Sequence, residues 1–207
     1  MSATVPPGRA LGRGRARVRG MSDALRRPMT VGEFLAWEEA QEPRWEFDGL
    51  RPVAMTGGSA EHEIVGATLR AVLRERLRGG PCRVWGPTMK IQVQGRIRYP
   101  DAFVACTPVP RGATVVPDPV VVFEVLSPGT SRADRIEKLR EYQATPSILR
   151  YVILEQDAPA ASVFARQGAA WTARALTQAD VLAMPEIGVE VPLAEVYADL
   201  SAADSQP

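Results

Sequence analysis

The sequence is short of the residues that build metal clusters and nucleophilic triads. It has one histidine, His62, and two cysteines, Cys82 and Cys106, with no CxxC between them. That set supplies no zinc-finger spacing, and so few cysteines fit a reducing cytoplasm better than secretion. No apolar run reaches the roughly 18 residues of a membrane helix, so no membrane partner is expected. The glycines form neither a P-loop nor a dinucleotide-binding fingerprint, and no serine sits in a Ser-His-Asp elbow. What remains is ordinary for a globular protein: 207 residues, 45% hydrophobic and 24% charged. That length suits one domain of roughly 150–200 residues with a tail.

Net charge is +1 and unevenly spread. Residues 1–27 hold seven arginines (Arg9, Arg13, Arg15, Arg17, Arg19, Arg26 and Arg27) against Asp23 alone, so they carry +6 and the remainder carries −5. The tail has no periodic apolar face, and disorder is expected over 1–27. A natural start at Met21 is one reading of it; electrostatic contact with nucleic acid is another. A single folded domain is expected over 28–200, with residues 201–207 frayed.

Along that domain, "MTVGEFLAWEEAQ" reads as a short helix with Thr30 and Glu33 as a capping box. "RWEFDGLRPVAM" is a hairpin around Asp48-Gly49. "GGSAEHEIVGATLRAVLRERLRGG" is a helix capped by Ser59 and stopped by Gly79-Gly80, with Ile64, Leu69, Val72, Leu73 and Leu77 on its buried face. "CRVWGPTMKIQVQGRIRYPDAFVAC" predicts two strands turning near Gln94-Gly95. "DPVVVFEVLS" is a near-continuously apolar strand, the pattern of one covered on both faces. "RADRIEKLREYQA" is a helix capped by Thr130 or Ser131, with Ile136 and Leu139 free to face the core, and "LRYVILEQ" is another strand. "ASVFARQGAAWTARAL" is a hairpin around Gln167-Gly168, and "IGVEVPLAEVYADL" closes the domain with a strand and a helix. From residue 58 the order is helix, strand, strand, strand, helix, strand: an α/β arrangement with a mixed sheet and helices on its faces.

One residue breaks the pattern. Glu124 stands in the apolar strand, and an ionised group there is costly to bury unless something pairs with it. Alternation puts Val122, Glu124 and Leu126 on one face. The preceding strand carries Asp101 in "RYPDAFV". Two carboxylates on neighbouring strands can converge on a hard cation such as Mg²⁺ or Mn²⁺. The bland alternatives are a turn acid after Pro100 and a strand-end acid reaching solvent or an arginine.

Pro100-Asp101 followed by Glu124 resembles the PD-(D/E)XK core of restriction endonucleases. More closely, "WEFDG", the histidine of the first core helix, "YPDAFV", "FEVLSPGTSRADRIEKLREY" and "PSILRYVILEQ" resemble the Uma-two family, a widespread bacterial group regarded as endonucleases. The likeness runs from about Met29 to Leu200. It implies a restriction-endonuclease-like core with an added N-terminal helix and hairpin and a C-terminal hairpin. It also implies Asp101 and Glu124 as metal ligands, with the backbone carbonyl of Val125 as a third oxygen.

The chain departs from the simple nuclease pattern at Leu126, where a lysine should stand. The resemblance implies a substitute, Lys138, reaching back from the following helix. Lys138 to Tyr142 is similar to the Q-x-x-x-Y element of RecB-type nucleases, which lies beside the active site. Residues alone would make Lys138 a solvated lysine paired with Asp134 or Glu141. Glu46 and His62 match recurrent family residues and are accessory candidates; a hairpin surface charge and a helix-start histidine are the plain alternatives. Lys90 could meet phosphate, although an exposed strand face accounts for it.

The resemblance therefore implies a Mg²⁺- or Mn²⁺-dependent endonuclease that hydrolyses phosphodiester bonds of nucleic acid, DNA in first place. The alternative is a nuclease fold that no longer cuts and serves as a binding or regulatory module, favoured by Leu126 and the −5 charge of the folded part. A homodimer is also expected, with an apolar strand such as "ASVFA" extending the sheet across a two-fold axis.

Overall fold

The computed structural model describes residues 27–55, 57–127 and 132–203. The basic tail up to residue 26, the segment with the expected caps Thr130 and Ser131, and residues 204–207 lie outside the described residues. The chain falls into two compact units, the first ending at Met55.

The first unit holds α1 (Val31–Glu38), β1 (Trp45–Phe47) and β2 (Pro52–Ala54). The capping box forms in both directions: Thr30 Oγ1 accepts from the Glu33 N–H at 3.2 Å, and Glu33 Oε2 accepts from the Thr30 N–H at 2.8 Å. In the hairpin turn Asp48 Oδ1 accepts from the N–H groups of Leu50 and Arg51, both at 2.7 Å. Gly49 takes a φ of 95°, which side chains resist. Phe34 stacks on Phe47, with ring centroids 5.0 Å apart, and so fastens α1 to the hairpin.

The second unit opens with α2 (Ala60–Arg76), whose N-terminus is capped by Ser59 Oγ accepting from the His62 N–H. Then come β3 (Arg83–Trp85), β4 (Ile91–Val93), β5 (Arg96–Arg98), β6 (Ala102–Ala105) and β7 (Pro119–Leu126). The helix α3 (Arg132–Ala144) leads to β8 (Arg150–Glu155), β9 (Ala160–Gln167) and β10 (Ala170–Thr177). The chain ends with β11 (Val181–Met184), β12 (Val189–Pro192), α4 (Leu193–Val196) and α5 (Ala198–Ala203). A six-stranded sheet runs in the order β10-β9-β8-β7-β6-β3. Only β7 and β8, joined through α3, pair in parallel within it. The mixed α/β fold is the one expected.

The central strand β7 is covered on both faces. Val121, Phe123 and Val125 pack with Val65, Leu69 and Leu73 of α2. Val122 packs on the other side with Tyr142 of α3 and with Ile91 and Val93 of β4. This is why its sequence reads as unbroken hydrophobic residues.

Four expectations change. The segment 82–106 forms four short strands instead of two, because Pro87 and Pro100 offer no N–H to a ladder and the Met89 N–H turns back to the Gly86 carbonyl. The buried stripe of α2 starts at Val65, not Ile64: positions 65, 69, 73 and 77 are inside and Ile64 is half-buried. Ile136 of α3 is exposed, not core. β9, which carries "ASVFA", is hydrogen-bonded on both sides, so it cannot extend the sheet; β10 and β3 are the edges.

Cys82 and Cys106 form a disulfide. They flank the β3–β6 pairing, whose register sets Arg83 opposite Ala105. Twenty-four residues of separation and no motif gave no signal for this pair. Closed disulfides are rare in reducing compartments, so the pairing stands against the reading of the two cysteines as reduced.

Candidate active site

The β6–β7 register begins at Ala102 opposite Phe123. One residue beyond that pair, Asp101 and Glu124 stand where the two strands part, Asp101 held from the α2 side and Glu124 from the α3 side. Asp101 Oδ2 accepts from the Val125 N–H at 2.7 Å, so the strand that carries Glu124 holds the other acid by its backbone. Two more groups fix Asp101. His62 Nε2, from the first turn of α2, lies 3.3 Å from Asp101 Oδ2. Arg70, two turns along α2, donates to the Asp101 carbonyl at 3.1 Å and to Glu63 at 2.8 Å.

Glycines make room for both side chains. A Cβ at Gly58 would sit 2.8 Å from His62 Nδ1, and one at Gly86 would sit 2.9 Å from Arg70 Cδ. Arg70 was not legible as a site residue: one of three arginines on a charged helix reads as solvated, and only the fold shows it lying over Gly86.

Glu124 points to the other side of the sheet, toward α3. The Tyr142 hydroxyl donates to Glu124 Oε1 at 2.8 Å. Lys138 Nζ lies 3.3 Å from the same oxygen, with the lysine side chain 15% exposed and the glutamate 12%. Tyr151 walls this side, its ring 4.8 Å from that of Tyr142. Burial pushes the Tyr151 hydroxyl well above its usual range, and the charges of Glu124, Asp134 and Asp101 add to the effect while Arg135 opposes it. It stays a neutral O–H beside the acids. Leu126 joins the apolar cluster under α3, so the place of the usual lysine is a packing position.

The His62 imidazole is held above its ordinary pKa, chiefly by its hydrogen bond to Asp101, with burial opposing and the charges of Asp101, Glu124 and Glu63 assisting. A raised folded-state pKa stabilises the fold fully below the reference value of 6.5, and that stability is lost as pH rises through the higher folded value. Metal-free wild type is therefore expected to exceed His62→Gln in melting temperature most at about pH 5.5, the gap narrowing toward about pH 8.5. A gap that does not change with pH contradicts this pairing.

Residues 31–194 match the profile of the Uma2 family, whose description reads "Putative restriction endonuclease". The chain belongs to the Uma2 family. It is 30% identical over 173 residues to the uncharacterized protein slr1290 of Synechocystis sp. (strain ATCC 27184 / PCC 6803 / Kazusa), covering 82% of this chain and 91% of that one. Its fold matches a crystal structure described as a putative nuclease belonging to DUF820 from Anabaena variabilis, with a TM-score of 0.69 at 15% identity. That match covers 83% of this chain and 98% of the other. A nuclease-like fold is thereby established for this Uma2 chain.

The second unit thus gathers five of the sequence-derived candidates, Asp101, Glu124, Lys138, His62 and Tyr142, at one end of the β6–β7 pair. Val125 meets Asp101 through its N–H. Glu46 lies in the first unit, buried on β1. Lys90 does not stand on an exposed face: it is buried, with Nζ 5.7 Å from the Tyr99 ring centroid. Glu141 is turned away from Lys138 and meets Arg98 instead.

Among the described residues no three His, Cys, Asp or Glu side chains are grouped to hold an ion. Two carboxylates suffice for Mg²⁺, which keeps several waters and takes one or two protein carboxylates together with substrate phosphate. Asp101 and Glu124 are hard oxygen donors of the kind that cation takes, and they do not make an all-protein zinc cage.

Proposed function

We propose that this Uma2 chain is a metal-dependent endonuclease that hydrolyses phosphodiester bonds, with DNA as substrate. The observation that carries this reading is the placement of the Lys138 ammonium on Glu124, which restores from α3 the cation that Leu126 withholds from β7. Asp101 and Glu124 would hold Mg²⁺ or Mn²⁺. When bound, the cation polarises the phosphodiester and lowers the pKa of a water.

The chain's own residues do the rest. Lys138 compensates Glu124 in the resting site, then orients the attacking water and offsets charge on the phosphoryl oxygens. Tyr142 fixes the Glu124 carboxylate by donating to Oε1. His62 and the Val125 N–H do the same for Asp101, and Arg70 anchors its backbone. The test is cleavage of supercoiled plasmid, single-stranded DNA and RNA by the full chain with Mg²⁺, Mn²⁺ or chelator. Cleavage of DNA that chelator abolishes and Mg²⁺ restores is the expected result. No cleavage of any of the three substrates with either metal sinks it.

Leu126 and the −5 charge of the folded part favour a second reading, a nuclease fold that binds without cutting. Calorimetric titration with Mn²⁺ separates the two: the endonuclease binds the ion and Asp101→Asn/Glu124→Gln does not, whereas the binding module binds none.

We also propose a cytoplasmic homodimer. The Cys82–Cys106 disulfide runs against that compartment, where the two cysteines would instead be held as thiols. β10 pairs with β9 over eight residues without a bulge, and it carries no proline on its open edge. Such edges invite another strand. Light scattering is expected to give twice the 22.5 kDa chain mass; a monomer at micromolar concentration contradicts the dimer.

A further inference from the structure

The helix α3 carries two charged faces. Lys138 and Tyr142 turn toward Glu124. Glu141, which adjoins Tyr142 in sequence, turns toward β5. There Arg98 grips it as a fork: Arg98 Nε donates to Glu141 Oε2 at 2.8 Å and Nη2 donates to Oε1 at 2.6 Å. Both side chains are buried, 3% and 2% exposed. Arg96, two residues back on the same face of β5, approaches Glu141 Oε1 at 3.2 Å and also bridges to Glu137 at 3.0 Å.

A desolvated ion pair is a poor source of stability, and in some proteins a buried polar or ionic group serves instead to fix one geometry. A bidentate fork fixes direction as well as distance. On a helix, Lys138 and Glu141 are three residues apart, about 60° around the axis, and Tyr142 is about 100° beyond Glu141. A rotation of α3 that took Glu141 off Arg98 would carry Lys138 and Tyr142 off Glu124 by the same angle.

The other end of α3 is held separately. Arg166 of β9 donates to the carbonyls of Gln143 at 2.7 Å, Thr145 at 3.0 Å and Ile148 at 3.1 Å. Its guanidinium also lies 4.7 Å from the Trp171 ring centroid. Arg166 thus holds the end of α3 along its axis, while the fork on β5 acts on its rotation, together with the packing of buried Tyr142.

We infer that Arg98 and Glu141 are positioning residues: their buried pair sets the rotation of α3 at which the Lys138 ammonium and the Tyr142 hydroxyl meet at Glu124 Oε1. The catalytic consequence rests on the endonuclease reading; the geometric one does not. The test therefore has two readouts on the full chain. One is the kcat and KM of Mg²⁺-dependent cleavage. The other is the ¹³Cζ spectrum of tyrosine-labelled protein, which has four tyrosines, with Tyr142→Phe identifying the Tyr142 signal.

Arg98→Met/Glu141→Leu replaces the pair by apolar side chains. In this variant the Tyr142 signal is expected to move while that of Tyr197, packed on the opposite face of the sheet, stays. kcat is expected to fall by roughly 10²-fold, the cost of a misplacement of about 1 Å, with KM little changed. Leu182→Ala, a core truncation in the β11–β12 hairpin, measures the effect of lost stability alone and is expected to leave the Tyr142 signal in place.

If the double variant does not fold, Arg98→Lys keeps the charge and loses the fork, and the same displacement is expected. An unmoved Tyr142 signal in a folded variant overturns the inference, and so does a moved signal with unchanged kcat. A moved signal in a protein whose wild type cuts nothing supports the positioning and fails the endonuclease reading.

Discussion

Glu124→Gln is expected to lose about 10³-fold of its Mg²⁺-dependent cleavage rate, the upper range for one well-placed electrostatic group, and to unfold close to the wild-type temperature. The two halves of that expectation have different causes. A glutamine keeps the shape of Glu124 and an oxygen that can accept from Tyr142, so the strand and α3 stay packed. Lys138 loses the Glu124 charge, and at 15% exposure it still reaches water. The lost charge is what the cation needs, and 10³-fold corresponds to about 4 kcal/mol of barrier. Asp101→Asn should behave alike, since its amide oxygen can still accept from the Val125 N–H. Single-turnover cleavage together with a melting curve checks both. Wild-type rates in either variant would remove that carboxylate from the chemistry.

The second large effect belongs to Lys138. Lys138→Met is expected to lower the cleavage rate by about 10²-fold. Arginine should not restore it, because a planar fork does not place a point charge where the ammonium stood. The informative partner is Leu126. Glu124 and Leu126 share one face of β7, so Leu126→Lys in the Lys138→Met background returns the amine to the strand. It is expected to recover part of the rate, at some cost in stability, since Leu126 packs under α3. Partial recovery means that the active site needs a cation near Glu124 and not a particular element to deliver it. No loss on Lys138→Met shows that the lysine is only a salt-bridge partner.

The acids were legible because each breaks a pattern. Glu124 interrupts an apolar strand, and Asp101 follows a proline at the start of another, so each stood out in its strand. The turn was legible for a similar reason: Gln94 and Gly95 take positive φ values of 46° and 76°, and the glycine marks where such angles are required. The delivery of Lys138 to Glu124 came from resemblance. Helical spacing alone allowed Asp134 or Glu141 as its partner, and only the fold shows Glu141 committed to Arg98, 43 residues earlier.

Other parts were out of reach because they depend on contacts far apart in sequence. Arg70 earns its place over Asp101 from the approach of Gly86, and the Cys82–Cys106 pair from the register of β3 on β6. The choice between Ile64 and Val65 turns on a helix rotation that two adjacent apolar residues leave undecided. Lys90 looked exposed because a lysine in a short strand usually is; here Tyr99 lies across from it and covers it.

The most direct test is a crystal of the full chain soaked in Mn²⁺ and measured for anomalous scattering. A single peak within bonding distance of both the Asp101 and Glu124 carboxylates, with the Lys138 amine beside it, is the result predicted. A clean map in which Mn²⁺ is absent from that pair, or bound only elsewhere while the pair stays closed on Lys138 and His62, would contradict the account.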